Sequence, residues 1–177
     1  DYAFAFCPSI IDFVLPAKLN TIGTAPFSDC SSLWSFYQEF DFSRSISIGW
    51  LYRPTLFVQY PLARQGRSFT IPEGITTIQS GAFRGCQNLQ EIILPSTLVS
   101  IEAFSFFHCS KLETIIIPSS VTTIGLYAFA YCTSLKSVSI SDTVQVIESF
   151  AFFNCPLLQS IDVDPNNLIY KSNDGVL

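Results

Sequence analysis

The sequence predicts a solenoid of stacked 23-residue units, each contributing one short strand, and three observations carry that reading. Six cysteines, Cys7, Cys30, Cys86, Cys109, Cys132 and Cys155, fall at intervals of 23, 56, 23, 23 and 23. Phenylalanine stands three residues before each of them, at Phe4, Phe27, Phe83, Phe106, Phe129 and Phe152. Apolar residues then fill further columns in the same frame. Ile22, Ile78, Ile101, Ile124 and Ile147 lie eight residues before the cysteine, and Leu19, Ile75, Leu98, Val121 and Val144 lie eleven before it. Ile10, Leu33, Leu89, Leu112, Leu135 and Leu158 follow by three, and Phe13, Phe36, Ile92, Ile115, Val138 and Ile161 by six.

One unit therefore reads C-x-x-L-x-x-I-x-L-P-x-x-L-x-x-I-x-x-x-A-F-x-x. Its L-x-x-I-x-L segment ends in apolar alternation, which suits a short strand. The proline at Pro16, Pro95 and Pro118 has no N–H to give a ladder and ends that strand. The small residue and phenylalanine that follow are expected to form a short helical or 3₁₀ turn on the convex side. A lone unit buries too little apolar surface to offset the cost of ordering its backbone, so repetition is a physical requirement.

Composition narrows the function classes. Apolar residues make up 49% and charged residues 13%, which excludes general disorder. A net charge of −5 gives no electrostatic footprint for nucleic acid or an anionic membrane. No apolar run approaches the ~20 residues of a membrane-spanning helix. The chain starts at Asp1 and has no methionine, so it is expected to be a matured or partial product.

Six cysteines in one column read better as buried thiols than as a disulfide set or a metal site. No Cys-x-x-Cys occurs, and His108 is the sole histidine. Stacked equivalents would sit ~4.8 Å apart, whereas a disulfide prefers Cβ atoms ~3.8 Å apart.

These columns resemble the BspA-like (Treponema pallidum-type) leucine-rich repeats. The motif L-P-x-x-L-x-x-I-x-x-x-A-F-x-x-C-x-x-L-x-x-I is closest in residues 94–115, 117–138 and 140–161, and covers roughly residues 1–36 and 68–163. The terminal Tyr170–Leu177 stretch is similar to a segment that recurs between repeats in that family. The resemblance implies a curved leucine-rich-repeat solenoid with one parallel strand per repeat on the concave face. It also implies a surface or secreted protein, adhesin-like toward a host or neighbouring-cell protein, with the export signal and anchor outside this chain. It carries over no catalytic site and no cofactor.

Four segments are expected: repeats at 1–36 with a truncated first unit, an irregular stretch at 37–67, repeats at 68–163, and an inter-repeat hairpin segment at 164–177. In the irregular stretch the next cysteine arrives ten residues later than two further periods would place it. It holds Arg44, Arg53, Arg64 and Arg67 against Glu39 and Asp41, so it is +2 while the remainder is −7. Trp50, Tyr37, Tyr52 and Tyr60 add aromatic surface. Decayed repeats, an inserted binding loop and a reading-frame error all account for it, and Ile46–Ile48 and Phe69–Pro72 are candidate degenerate strands.

No motif carries chemistry. His108 occupies a position held elsewhere by Gly85, Tyr131 and Asn154, a pattern of variable surface rather than of a catalytic base. Nucleotide-binding glycine motifs and metalloprotease motifs are absent. Asp162, Asp164 and Asp174 lack calcium-loop spacing, and Asn173-Asp174-Gly175 reads as a hairpin turn. If strand residues alternate, the concave face presents Glu91, Thr114, Ser137 and Ser160 in one column and Ile93, Ile116, Ser139 and Asp162 in another. Gln90, Glu113, Lys136 and Gln159 precede them. Ile93 and Ile116 would form an apolar stripe, read either as a partner contact or as plain strand propensity. The expected function is protein recognition without enzymatic activity; an intracellular scaffold, or a regulatory segment of a larger enzyme, is the alternative.

Overall fold

A computed structural model of the chain describes residues 1–15, 22–40, 44–47, 51–52 and 55–172. The expected Asn173–Gly175 turn lies outside the described residues. From Tyr60 onward the chain winds as a regular solenoid, because equivalent backbone groups of successive turns bond at a fixed offset. The amides of Tyr60, Phe83, Phe106 and Phe129 donate to Ala82, Ser105, Ala128 and Ala151 carbonyls at 2.7–2.8 Å.

Each turn contributes two short strands rather than one. The first ladder is a five-stranded parallel sheet of β6 (Ser68–Thr70), β8 (Glu91–Ile93), β10 (Thr114–Ile116), β12 (Ser137–Ile140) and β14 (Ser160–Val163). The second runs through β5 (Leu56–Gln59) and the two-residue strands β7 (Thr77–Ile78), β9 (Ser100–Ile101), β11 (Thr123–Ile124) and β13 (Val146–Ile147), all parallel. Ile78, Ile101, Ile124 and Ile147, eight residues before their cysteines, sit in this second ladder, the first three of them buried.

The third side of each turn is where the expectation of a helical segment fails. Among the described residues there is no helix; the Ala-Phe segment is a chain of tight turns. The reason is local. The residues two before and two after the column phenylalanine have positive φ in every described unit that carries this phenylalanine: Tyr2 and Phe6, Ala25 and Asp29, Gly81 and Gly85, Phe104 and His108, Tyr127 and Tyr131, Phe150 and Asn154. Two left-handed residues four apart cannot lie in one right-handed helix.

Inside, phenylalanines stack face on face along the axis. Phe83, Phe106, Phe129 and Phe152 have ring centroids 5.0, 4.9 and 5.5 Å apart at interplanar angles of 14°, 4° and 6°. All six cysteines are free thiols. The Sγ atoms of Cys30, Cys109, Cys132 and Cys155 donate to the carbonyls of Phe4, Phe83, Phe106 and Phe129, each 26 residues back, at 2.9–3.2 Å. At these four positions the column thus binds a turn to the one before it as well as filling space.

The N-terminal units form a separate sheet, in which β1 (Asp12–Leu15) pairs parallel with β2 (Ser35–Phe40). Strand β3 (Arg44–Ser47) then runs antiparallel to β2, and β4 (Leu51–Tyr52) antiparallel to β5 with a bulge. Strands β3 and β6 overlap the two segments singled out as candidate degenerate strands. The core divides at this excursion into one cluster around Phe27 and Phe36 and a larger one from Phe57 to Ala151. At Tyr60 the period resumes, with tyrosine in the phenylalanine column, Ala63 in the cysteine column and Gly66 in the leucine column.

Candidate recognition face

The five-stranded sheet has one face in the core and one in solvent, as alternation in short strands dictates. In the units of Cys86, Cys109 and Cys132 the residues three, six and eight after the cysteine, such as Leu112, Ile115 and Ile117, are buried. Those at five and seven point outward. Glu91, Thr114, Ser137 and Ser160 pair side by side across β8, β10, β12 and β14. Ser139 lies between Ile116 and Asp162 in the same registers, and Thr70 pairs with Ile93 at the other side. The backbone ladder extends one residue beyond the strands, since the amides of Gln90, Glu113, Lys136 and Gln159 donate to Arg67, Gln90, Glu113 and Lys136 carbonyls. Eight of the twelve residues singled out in the sequence therefore stand outward on the strands, and Gln90, Glu113, Lys136 and Gln159 flank them one residue before each strand.

Ile93 is 47% exposed and Ile116 73% exposed. They border a shallow depression of about 370 Å³ whose rim includes Glu73, Glu91, Ser96 and Pro118. Polar contacts on this face run between turns. Ser68 Oγ donates to Glu91 Oε2 at 3.0 Å, and Lys136 Nζ reaches Glu113 Oε2 at 2.6 Å. The latter pair is about half exposed, so it adds little to stability and instead fixes where the charges stand. Such a lattice supplies apolar area, donors and acceptors at a fixed spacing, which is equipment for recognition.

His108 lies away from this sheet. It is exposed, has φ 61°, and sits with its ring 6.4 Å from those of Phe107 and Tyr131. Asp164 accepts hydrogen bonds from the backbone and side-chain nitrogens of Asn166 at 2.8 and 3.0 Å, a local turn. Among the described residues no cluster of three or more His, Cys, Asp or Glu is close enough to hold a metal ion, and no helix is long and apolar enough to cross a membrane.

Sequence reasoning missed the paired left-handed positions and a polar trough on the turn side of the solenoid. A signal for the first was present in Gly81-Ala-Phe-Arg-Gly85, where glycine occupies both positions. A signal for the second was Gly66 in the leucine column.

No protein of curated function matches the chain. Its fold matches a leucine-rich repeat protein from Eubacterium ventriosum at 21% identity and a TM-score of 0.74, over 90% of this chain and 46% of that one. It also matches the pneumococcal vaccine antigen PcpA at 22% identity and 0.72, over 98% and 48%. A leucine rich cell surface protein from Faecalibacterium prausnitzii aligns at 25% identity and 0.65, over 93% and 52%. The chain thus spans about half the length of the solved structures it resembles. The BspA type leucine rich repeat region, in six copies, matches residues 1–48 and 63–173. The chain is a leucine-rich-repeat solenoid and belongs to the BspA type leucine rich repeat family.

Proposed function

We propose that the chain is a cell-surface recognition module, adhesin-like, that binds a protein of a host or neighbouring cell through the outer face of its five-stranded sheet. The observation that carries this reading is the apolar pair Ile93 and Ile116 on adjacent strands, exposed in a sheet whose other outward residues are polar. An apolar centre with a polar rim is the anatomy of a protein interface. Glu91 and Glu113 beside the stripe would favour a partner surface that is basic around an apolar centre. The description of the Faecalibacterium relative as a cell surface protein supports the location. The twelve sheet residues form the proposed contact, and no catalytic or cofactor role is assigned to them.

The test is adhesion of beads carrying the chain to epithelial monolayers, comparing the native protein with an Ile93→Asp/Ile116→Asp variant. Both positions are exposed, so folding is expected to survive. Adhesion falling at least tenfold supports the reading, and unchanged adhesion removes the sheet face from it. A second reading, an intracellular scaffold, draws on the six free thiols, which suit a reducing compartment. Protease accessibility of the protein on intact source cells separates the two.

A further inference from the structure

The turn side of the solenoid carries a cleft that the repeat itself does not make. In the regular units Leu89, Leu112 and Leu135 fill the leucine column completely. Gly66 stands in that column one turn earlier, and a Cβ there would meet nothing nearer than the Ser68 carbonyl at 3.9 Å. Ala63 likewise replaces the cysteine. The missing side chains leave a hollow between the N-terminal block and the regular turns.

Two adjoining cavities lie there. One of about 610 Å³ is walled by Asp29, Arg84, Phe107 and His108, and one of about 330 Å³ by Gly66, Arg67, Gln90 and Lys111. Gln65 and Asn88 line both, so the two lie side by side and together make up one trough-like region. Gln65, Asn88 and Lys111 are 23 residues apart, one per turn, so the trough runs along the axis over three turns.

The lining is specific in chemistry. Arg84 lies 3.3 Å from Asp29 and 4.7 Å above the Phe107 ring, which fixes its guanidinium. Among the described residues neither Arg67 nor Lys111 has a carboxylate within ion-pair distance. Three cations (Arg67, Arg84 and Lys111) against one carboxylate (Asp29) make the trough +2 in a chain of net charge −5. Gln65, Gln87, Asn88 and Gln90 each present both a donor and an acceptor, which is what hydroxyl groups require. Backbone groups on this side are committed to turns, as in the Cys86 amide donating to Phe83 and the Leu112 amide to Cys109. A peptide strand would therefore find no ladder here, and recognition falls to side chains alone.

We propose that this trough is a second binding site, meeting the sheet face only at its edge, where Gln90 borders both, and that it takes a short acidic oligosaccharide bearing sulfate or uronate groups. The amides engage ring hydroxyls, while Arg67 and Lys111 engage the acidic groups. The volume lies within the range of ordinary ligand clefts.

The test is titration calorimetry of the whole chain with a heparin-derived hexasaccharide, with maltohexaose and hexaglutamate as comparators. The sulfated hexasaccharide is expected to bind, maltohexaose and hexaglutamate at least tenfold more weakly. Arg67→Ala/Lys111→Ala, both at exposed positions, should weaken hexasaccharide binding at least tenfold. Gly66→Leu, which restores the leucine of the column and fills the hollow, should do the same with an unchanged circular dichroism spectrum. No hexasaccharide binding, equal binding of hexaglutamate or of maltohexaose, or either variant binding as the native chain does would overturn the proposal.

Discussion

The thiol of Cys132 donates to the carbonyl of Phe106 at 3.2 Å, and that same carbonyl accepts the Cys109 amide of its own turn at 3.1 Å. One oxygen therefore closes its own turn and ties down the next. Cys132→Ala removes the donor and leaves a small void, so a loss of about 1–2 kcal/mol is expected. Cys132→Ser keeps a donor in place and should lose less. Urea denaturation of the three proteins ranks them, and an Ala variant as stable as the native chain would remove the ladder from the account.

The same thiols give the fold a pH dependence. Burial raises the Cys155 thiol from 9.0 to about 12. Burial pushes Cys109 well above 9.0, and the neighbouring Cys109 thiol together with burial does the same to Cys132. The folded chain thus holds protons that the unfolded chain releases, so stability is complete below pH ~9 and is lost as pH rises toward the folded values. Burial of Tyr60, raised to about 12, adds to the fall at the upper end. Urea midpoints should be level from pH 7 to 8.5 and decline from pH 9 to 11, more shallowly in Cys132→Ser. A flat profile would mean that the thiols ionise equally in both states.

The left-handed positions predict an inverted substitution pattern. At His108, with φ 61° and an exposed side chain, glycine relieves a strain of about 1–2 kcal/mol. Part of that gain is lost to the greater freedom of unfolded glycine. His108→Gly is therefore expected to be neutral or slightly stabilising. His108→Val, β-branched at positive φ, should cost roughly 1–3 kcal/mol. Thermal melts that place the two variants in the opposite order contradict the backbone described here.

Gly125 has another reason to lack a side chain. A Cβ there would lie 2.6 Å from the Ala103 nitrogen and 2.7 Å from the Glu102 carbonyl carbon, both backbone atoms of the previous turn. Neither can rotate away, so the turns must separate. Gly125→Ala should cost roughly 1–3 kcal/mol in chemical denaturation. In contrast, Gly74→Asn should be tolerated, because nothing lies within 4 Å of its Cβ direction and asparagine accepts its φ of 93° better than most residues.

Asn167 occupies the column of Leu98, Val121 and Val144, and it is buried. Its amide nitrogen donates to the Ser141 and Val144 carbonyls at 2.9 and 3.1 Å, while its Oδ1 accepts the Ile169 and Tyr170 amides. Tyr170, in the isoleucine column, accepts the Ile147 amide at its hydroxyl. Both replace apolar core residues with side chains that satisfy backbone groups of the preceding turn. Asn167→Val fits the repeat consensus and should nonetheless destabilise by roughly 2–4 kcal/mol, through unpaired buried groups. An equally stable variant would show that the column position, not the hydrogen bonds, matters.

The solenoid and its inward columns were legible in the sequence because packing imposes them identically on every turn. The cysteine and phenylalanine columns set the period, and the strand alternation placed Ile93 and Ile116 outside. The turn side was not legible for a physical reason. Most of its left-handed residues are exposed or half-buried, so tyrosine, histidine and aspartate all occur where glycine would be the usual clue. The second ladder was missed because two-residue strands such as Thr123–Ile124 show no alternation to read. The trough arises from what Ala63 and Gly66 lack, and absent side chains leave no periodic mark.

The most direct test of the proposed recognition face is photocrosslinking on intact epithelial cells, with a benzophenone amino acid at position 116 or, as control, at position 150. Phe150 is exposed on the turn side and stacks on Tyr127 at 5.0 Å. The account predicts a discrete protein adduct from position 116 and none from position 150. Adducts from position 150 alone, or from neither position, would contradict it.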